Sequence, residues 1–452
     1  MLGWRILKEG EYQVGLPVLS REEEEIISAA EAGFREATRS QHAQTREEAE
    51  ALIRELLVHA AEGSGVYLDR SQGEYLGRAA AMHIYGFAFL DVLVGDPEIE
   101  EISVIGTGKP AYVYLRGQGW KRVNASFDDE RTMTDVINKM ARNLGRHITL
   151  QNPRLDAMLP DGSRLHASLS PVSQGEITIR KFRERPFSPR ELVENGTVPA
   201  GALALLSALM QCDCSVLIAG NTASGKTTTM NSLFSFTPGN ERVLIAEETP
   251  EINIPHRHQL RLVANRDMGI TLKDLMYDSL RMRPDRMIVG EVRNRDEVEA
   301  LFDVLLAGQA RGSYATLHAQ SVGEALSRLR AFGIADMDLR SVDCMVIQRR
   351  MLLYDQKKRT TREVRRVVEI AEIGKSDGRP RTLYAGGKLA PIGRSAMVAR
   401  VAESFGISTG KMAAELGRRT NLIMKAGRDY GEFYKTVQKD LYGLQVCGGP
   451  DD

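Results

Sequence analysis

Along the first ninety residues the apolar positions recur at helical spacing. Ser20 followed by Glu23 has the spacing of a capping box, and the run Glu22–Glu25 puts carboxylates in the first turn of "SREEEEIISAAEAGFREA", where they read as a solvated helix start. Thr45 and Glu48 repeat the signal ahead of "AEALIRELLVHAAEG", in which Leu52, Leu56, Leu57 and Ala60 mark one face. Residues 1–19 are only weakly patterned, so 1–90 reads as a mostly helical region.

The period then shortens. "IEEISVIGTGKPAYVYLRGQGWKRV" alternates β-rich runs with Gly-rich turns and predicts strands and a hairpin. "DDERTMTDVINKMARNLG" predicts a helix ending near Gly145, and "LPDGSRLHASLSPVSQGEITIRKF" returns to strands around a Pro-Asp-Gly turn. Residues 91–182 therefore read as a small α/β domain. "RERPFSPREL", 183–192, carries prolines and charges and reads as a linker. After it, helical runs alternate with the strands "SVLIAG", "RVLIAEET", "DRMIVGEVR" and "GSYATLHA". Such alternation implies a mainly parallel sheet covered by helices over 193–350. "REVRRVVEIAEIG" predicts a further strand, and the last fifty residues predict helices, giving 351–452 as a C-terminal strand-plus-helical extension.

The bulk numbers add exclusions. At about 100–200 residues per domain, 452 residues imply about two to four domains. Lys+Arg and Asp+Glu both number 60, so no net field marks a nucleic-acid or anionic-membrane binder. Cys212, Cys214, Cys344 and Cys447 lack the paired CxxC spacing of a zinc site and read as reduced thiols. The opening "MLGWRILKEGEYQ" has no apolar core of a secretory signal. The most apolar stretch, 203–220, is interrupted by Gln211 and Asp213 and reads as helix, turn and buried strand rather than a membrane span.

Candidate chemistry starts at residue 220. Gly220, Asn221, Thr222, Ala223, Ser224, Gly225, Lys226, Thr227 and Thr228 contain GxxxxGK[ST] between a predicted strand and a predicted helix. Small residues let backbone amides approach phosphate oxygens, and the helix N-terminus adds a favourable dipole. Lys226 can reach the β- and γ-phosphates, and the Thr227 hydroxyl can bind Mg²⁺. Hydrolysis also needs carboxylates, and Glu247, Glu248, Glu251 and Glu291 follow apolar strands whose C-terminal ends face the ligand crevice of a parallel sheet. Carboxylates this close are costly unless metal or cations neutralise them.

With these motifs the chain resembles the type II/type IV secretion ATPase superfamily, ring motors of pili, secretion systems and the archaellum. "GNTASGKTT" stands as Walker A, "EETPEI" as the Asp box, "VGEVR" as the atypical Walker B and "ATLHA" as the His box, in the family's order. "LPDGSR" and "ITIRKF" match the end of its N-terminal domain, and the likeness covers about residues 85–350. The resemblance implies a P-loop RecA-like ATPase domain preceded by a smaller α/β domain and a helical region, with ATP and Mg²⁺ bound and no zinc. It makes Glu251 the candidate general base, Glu291 the Walker B acid near Mg²⁺, and His318 the residue that couples nucleotide state. Arg164 and Arg180 match arginines that close onto the phosphates; Arg283 and Arg293 match further family arginines. Glu248 stands where the family usually has aspartate. Ala223 stands where the bacterial loop usually has glycine, and "TASGKTT" is typical of the archaeal branch. The tetracysteine module of many bacterial type II ATPases is absent, which points to archaeal pilus, archaellum or Tad-like members.

As implied by the resemblance, the partners are five further copies in a homo-hexamer, a polytopic membrane platform protein and, indirectly, a pilin-like or secreted substrate. The location is the cytoplasmic face of the membrane, with ATP between the N-terminal and P-loop domains and 183–192 as hinge. The basic run "KKRTTREVRR", 357–366, reads as a solvated face or a contact for acidic loops of the platform. A nucleic-acid-translocating ATPase on a similar core is the alternative. Neutral charge, 6% aromatic residues and no recognisable nucleic-acid module weigh against it.

Overall fold

Polar starts and apolar stripes place the first helices where the pattern asks for them. In the computed structural model, which describes residues 5–8, 10–40, 46–142, 146–183, 185–265, 268–357 and 359–446, the chain divides into two compact units, 1–183 and 184–452. The first unit opens with a hairpin, β1 (Arg5–Lys8) and β2 (Glu11–Val14), followed by α1 (Arg21–Ser40), α2 (Arg46–Gly63), α3 (Arg70–Ile84) and α4 (Leu90–Val94). Ser20 and Glu23 exchange the capping-box bonds, Ser20 N to Glu23 Oε2 at 2.7 Å and Glu23 N to Ser20 Oγ at 3.3 Å. Thr45 lies outside the described residues, as does Gly145. On α2 the buried stripe is Ala49, Ile53, Leu57 and Ala61, while Leu52, Leu56 and Ala60 are only half-buried at its edge. The expected face is thus rotated by one residue, because α1 and α3 both pack on α2.

The hairpin at 5–14 corrects the reading of 1–19. Tyr12 and Val14 alternate inward and join the core of the following α/β block, where β2 bridges Val123 and Tyr12 donates its hydroxyl hydrogen to Asp96. That block contains β3 (Ile99–Val104), β4 (Tyr112–Leu115), β5 (Gly119–Arg122), α5 (Glu130–Ala141), β6 (Arg154–Met158), β7 (Arg164–Ser168) and β8 (Glu176–Arg180). Its six strands form an antiparallel sheet in the order β5-β4-β3-β8-β7-β6.

The second unit starts with α6 (Pro189–Glu194), capped by Ser188 and Glu191, so the C-terminal part of the expected linker is a helix start. Ser188 Oγ donates to Arg428 O at 2.7 Å and Arg190 to Ala426 O at 2.8 Å, which ties α6 to the end of the chain. Next come α7 (Ala200–Gln211), β9 (Val216–Gly220), α8 (Lys226–Leu233), β10 (Val243–Glu247), β11 (Gln259–Val263), α9 (Leu272–Ser279), β12 (Arg286–Val292), α10 (Arg295–Ala307), β13 (Gly312–Leu317) and α11 (Val322–Ala331). They are followed by β14 (Cys344–Asp355), β15 (Thr360–Ile373), β16 (Pro380–Ala385), β17 (Lys388–Leu389), α12 (Ala396–Ser404), α13 (Thr409–Lys425) and α14 (Tyr430–Tyr442).

Nine strands make one sheet in the order β11-β10-β12-β13-β9-β14-β15-β16-β17. The first six are parallel, and β15 to β17 add an antiparallel edge. Val216, Ile218, Val243, Ile245 and Ile288 face one core; Leu217, Ala219, Leu244, Ala246, Met287 and Val289 face the other. Burial on both faces is why these strands read as continuous apolar runs. Position 350 lies inside β14, and α12 to α14 contribute Val398, Met412, Ile423 and Phe433 to the core that α7 fills. The C-terminal residues therefore pack into the second unit, whose core they share with α7. Among the described residues no helix is long and apolar enough to cross a membrane.

Candidate functional site

The cradle forms where β9 ends. Gly220 closes the strand against the carbonyl of Gln348 on β14: a β-carbon there would stand 2.1 Å from that oxygen. The loop then turns through Ala223 (φ 58°) and Gly225 (φ 92°), with Ser224 N donating to Asn221 O at 3.2 Å. Left-handed backbone at two nearby residues is a feature of turns whose successive amides can form an anion-binding nest. Gly225 is the N-cap of α8, so no side-chain oxygen occupies the amides of its first turn. Thr222 is exposed, and Thr227 and Thr228 are half-buried in that turn.

Asn221 fastens the loop to β14. Its amide donates to Arg350 O at 3.1 Å, and its carbonyl accepts from Arg350 N at 2.9 Å. Below it, Thr229 Oγ1 donates to Gln348 Oε1 at 2.7 Å. Gln348, absent from the sequence-based candidates, thus touches Gly220, Gly225 and Thr229. Its signal is too faint to read in the chain, because a polar residue inside a strand run has no partner visible in one dimension.

The charged groups gather on the other side of Lys226. Lys226, only 7% exposed, places Nζ 3.1 Å from Glu291 Oε1 and 3.3 Å from Gly220 O. His318 Nε2 stands 3.1 Å from the same Glu291 oxygen. Arg293 joins Glu291 Oε2 at 2.9 Å to Glu248 Oε2 at 2.6 Å. Neutralisation of the crowded carboxylates therefore comes from Lys226 and Arg293, with His318 packed against Glu291. Burial alone would raise the Glu291 carboxyl; the Lys226 ammonium, Arg293 and His318 outweigh it and hold the group below its usual range. Burial and the Lys226 charge lower His318.

Glu251 meets the loop itself. Thr227 Oγ1 donates to Glu251 Oε2 at 2.9 Å, and Asn231 Nδ2 holds the Glu251 carbonyl at 3.2 Å. Glu247 accepts from the amides of Glu251 at 2.7 Å and Ile252 at 2.9 Å. So the residues of "EETPE" divide their work: Glu247 shapes the turn, Glu248 binds Arg293, and Glu251 meets Thr227.

Burial pushes the Glu247 carboxyl up to about 7, although the Glu251 and Ile252 amides and Arg261 pull it down. Its ordinary value is 4.5. Between the two values the folded chain holds the extra proton, so stability falls as pH rises and levels off above about 7. Glu247→Gln keeps an oxygen for both amides and loses the titration. Its melting temperature should fall less than that of the unmodified chain between about pH 5 and 8. Parallel curves in calorimetry would remove Glu247 as the source.

The remaining candidate arginines belong to other elements. Arg164 and Arg180 are directly opposed on β7 and β8 of the first unit, with Glu101 opposite Arg180 on its other side. Arg283 is exposed, at φ 49°, in the loop entering β12. That is the opposite end of the strand from Glu291, so Arg283 is not in this chain's cluster, contrary to its place among the sequence-based candidates. No hydrogen bond or ion pair joins it to a described residue. The cause is topological: parallel strands put everything before a strand at one edge and everything after it at the other.

Mg²⁺, which the family resemblance implies, fits the donors present. Among the described residues no group of three His, Cys, Asp or Glu is arranged to hold a metal. Mg²⁺ at phosphate sites takes about one or two carboxylate oxygens besides phosphate and water. Thr227 Oγ1 and the Glu291 carboxylate are hard oxygens flanking Lys226.

The sequence model of the family described as type II/IV secretion system protein matches residues 92–385. An uncharacterized protein of Methanocaldococcus jannaschii is 33% identical over 299 residues, 64% of this chain and 52% of that protein. The type IV secretion system protein VirB11 of Bartonella quintana is 26% identical over 284 residues, 53% of this chain and 76% of that one. The structure of the ATPase DotB of Legionella pneumophila aligns at 17% identity and a TM-score of 0.47, over 79% of this chain and 93% of its own. The chain spans about half the length of the M. jannaschii relative.

Proposed function

As the chain belongs to the type II/IV secretion system protein family, we propose that it is an ATP-hydrolysing motor subunit that powers secretion or pilus assembly. The observation that carries the reading is the buried Lys226 at the first position of α8, 3.1 Å from Glu291, beside Thr227 bound to Glu251. Lys226 leaves Glu291 for the β- and γ-phosphates, and the loop amides take the remaining oxygens. Glu251 orients the attacking water and takes its proton. The bond from the γ-phosphorus to the bridging oxygen breaks, leaving ADP and phosphate. Arg293 keeps Glu291 charged while Lys226 moves. Thr227 and Glu291 would hold Mg²⁺, which supplies charge neutralisation at the phosphates when bound.

Six copies form the ring, and a polytopic membrane partner at the cytoplasmic face receives the motion. Arg164 and Arg180 act as phosphate ligands, and the segment preceding Ser188 serves as the hinge. A heterologous contact repeated six times closes such a ring. The test is phosphate release from ATP by the purified chain, with and without EDTA, alongside its mass by light scattering. Release that EDTA abolishes, from a six-copy particle, is the expected result. No release above buffer would end the motor reading, and a monomer at all nucleotide concentrations would end the ring.

A further inference from the structure

The basic run 357–366, which reads from sequence as a solvated face or a partner contact, ends beside the cradle. β14 and β15 pair so that Arg350 opposes Arg365 and Leu352 opposes Glu363. Directly opposed and alternate residues share a face of a sheet, which groups Gln348, Arg350, Glu363 and Arg365. Gln348 already touches the loop. A β-carbon on Gly225 would stand 3.0 Å from Gln348 Nε2 and 3.9 Å from Arg365 Cδ. The Asn221–Arg350 clasp fixes this hairpin in register with the loop. Glu363 is shared, 2.6 Å from Arg350 and 3.5 Å from Arg365. Of Arg350 and Arg365, the latter is held less closely by Glu363 and is the one that approaches Gly225.

We propose that Arg365 is a ligand for the nucleotide's phosphate chain, delivered by the β14–β15 hairpin, and that Glu363 competes with phosphate for it. The proposal rests on reading the cradle as an ATP site. A guanidinium fork suits phosphate oxygens, and a nearby carboxylate keeps it oriented while opposing the incoming anion. Arg365 then reports nucleotide occupancy to β15, the strand that begins the antiparallel edge.

The test titrates fluorescently labelled ADP into the full chain. Arg365→Ala should weaken binding by about ten- to a hundredfold, the range for a charge-assisted contact. Arg365→Lys should fall between it and the unmodified chain, because charge is kept and the fork is lost. Glu363→Gln should tighten binding by about two- to fivefold, as removing a part-exposed ion pair allows. The double variant should bind as Arg365→Ala does. Opposite signs are the result that a merely structural pair would not produce. If Arg365→Ala matches the unmodified chain while Lys226→Ala does not bind, this proposal falls and the cradle stands. If both single variants weaken binding and lower the melting temperature together, the pair is a structural clamp and the proposal falls. Unchanged binding in Lys226→Ala would overturn the cradle reading and this proposal with it.

Discussion

Glu251→Gln should lower ATP turnover by about a hundred- to ten-thousandfold, the range for removing a positioned general base. The amide oxygen can still accept from Thr227, whose hydroxyl lies 2.9 Å from Glu251 Oε2. The turn itself is held by Glu247 through the Glu251 and Ile252 amides, and by Asn231 through the Glu251 carbonyl. Neither support uses the carboxylate, so folding and ADP affinity should survive. What disappears is the carboxylate oxygen proposed to take the proton of water. Single-turnover phosphate release, measured beside ADP titration, separates these effects. Turnover within about threefold of the unmodified chain would remove Glu251 from the base role, since general-base loss is a far larger effect.

Lys226→Ala should weaken ADP and ATP binding and lower turnover by about a hundred- to a thousandfold, as removal of a preorganised donor to developing charge does. The change acts at two places. The phosphate loses its buried cation, and Glu291 loses the partner at 3.1 Å. Burial favours the protonated form of Glu291, and Lys226 is the foremost group opposing it. Without Lys226 the Glu291 carboxyl therefore rises, and His318, which the Lys226 charge helps to lower, also rises. Nuclear magnetic resonance titration of the His318 ring should show its midpoint moving upward in the variant. An unmoved midpoint would mean that burial alone sets His318, and undiminished nucleotide binding would mean that the loop is not the phosphate site.

The cradle was legible because its residues are consecutive. A glycine, a lysine and a threonine at fixed spacing between an apolar strand and a helix dictate a local shape, and Glu251 and His318 follow apolar strands of that sheet while Glu291 stands in the last residues of another. Arg293 needed the fold to show that it bridges Glu248 and Glu291. Arg283 reads as chemistry in "RMRPDR", yet strand polarity sets it at the far end of β12 from Glu291. The helical face of α2 was off by one residue because Leu52 and Ile53 are equally apolar, and only packing against α1 and α3 chooses between them.

By itself the order of amino acids determined the strand–loop–helix of the cradle, the alternation that makes a parallel sheet, and the carboxylates at its strand ends. These follow from contacts and periodicities within a few residues, where backbone sterics and apolar spacing decide. Tertiary structure alone decided that Gln348 and Arg365 flank Gly225, more than a hundred residues earlier in the chain, and that α12 to α14 complete the core around α7. Strand register carries that information: shifting β14 or β15 by one residue would turn each of these side chains to the other face, and burial summed over the whole sheet selects among the registers.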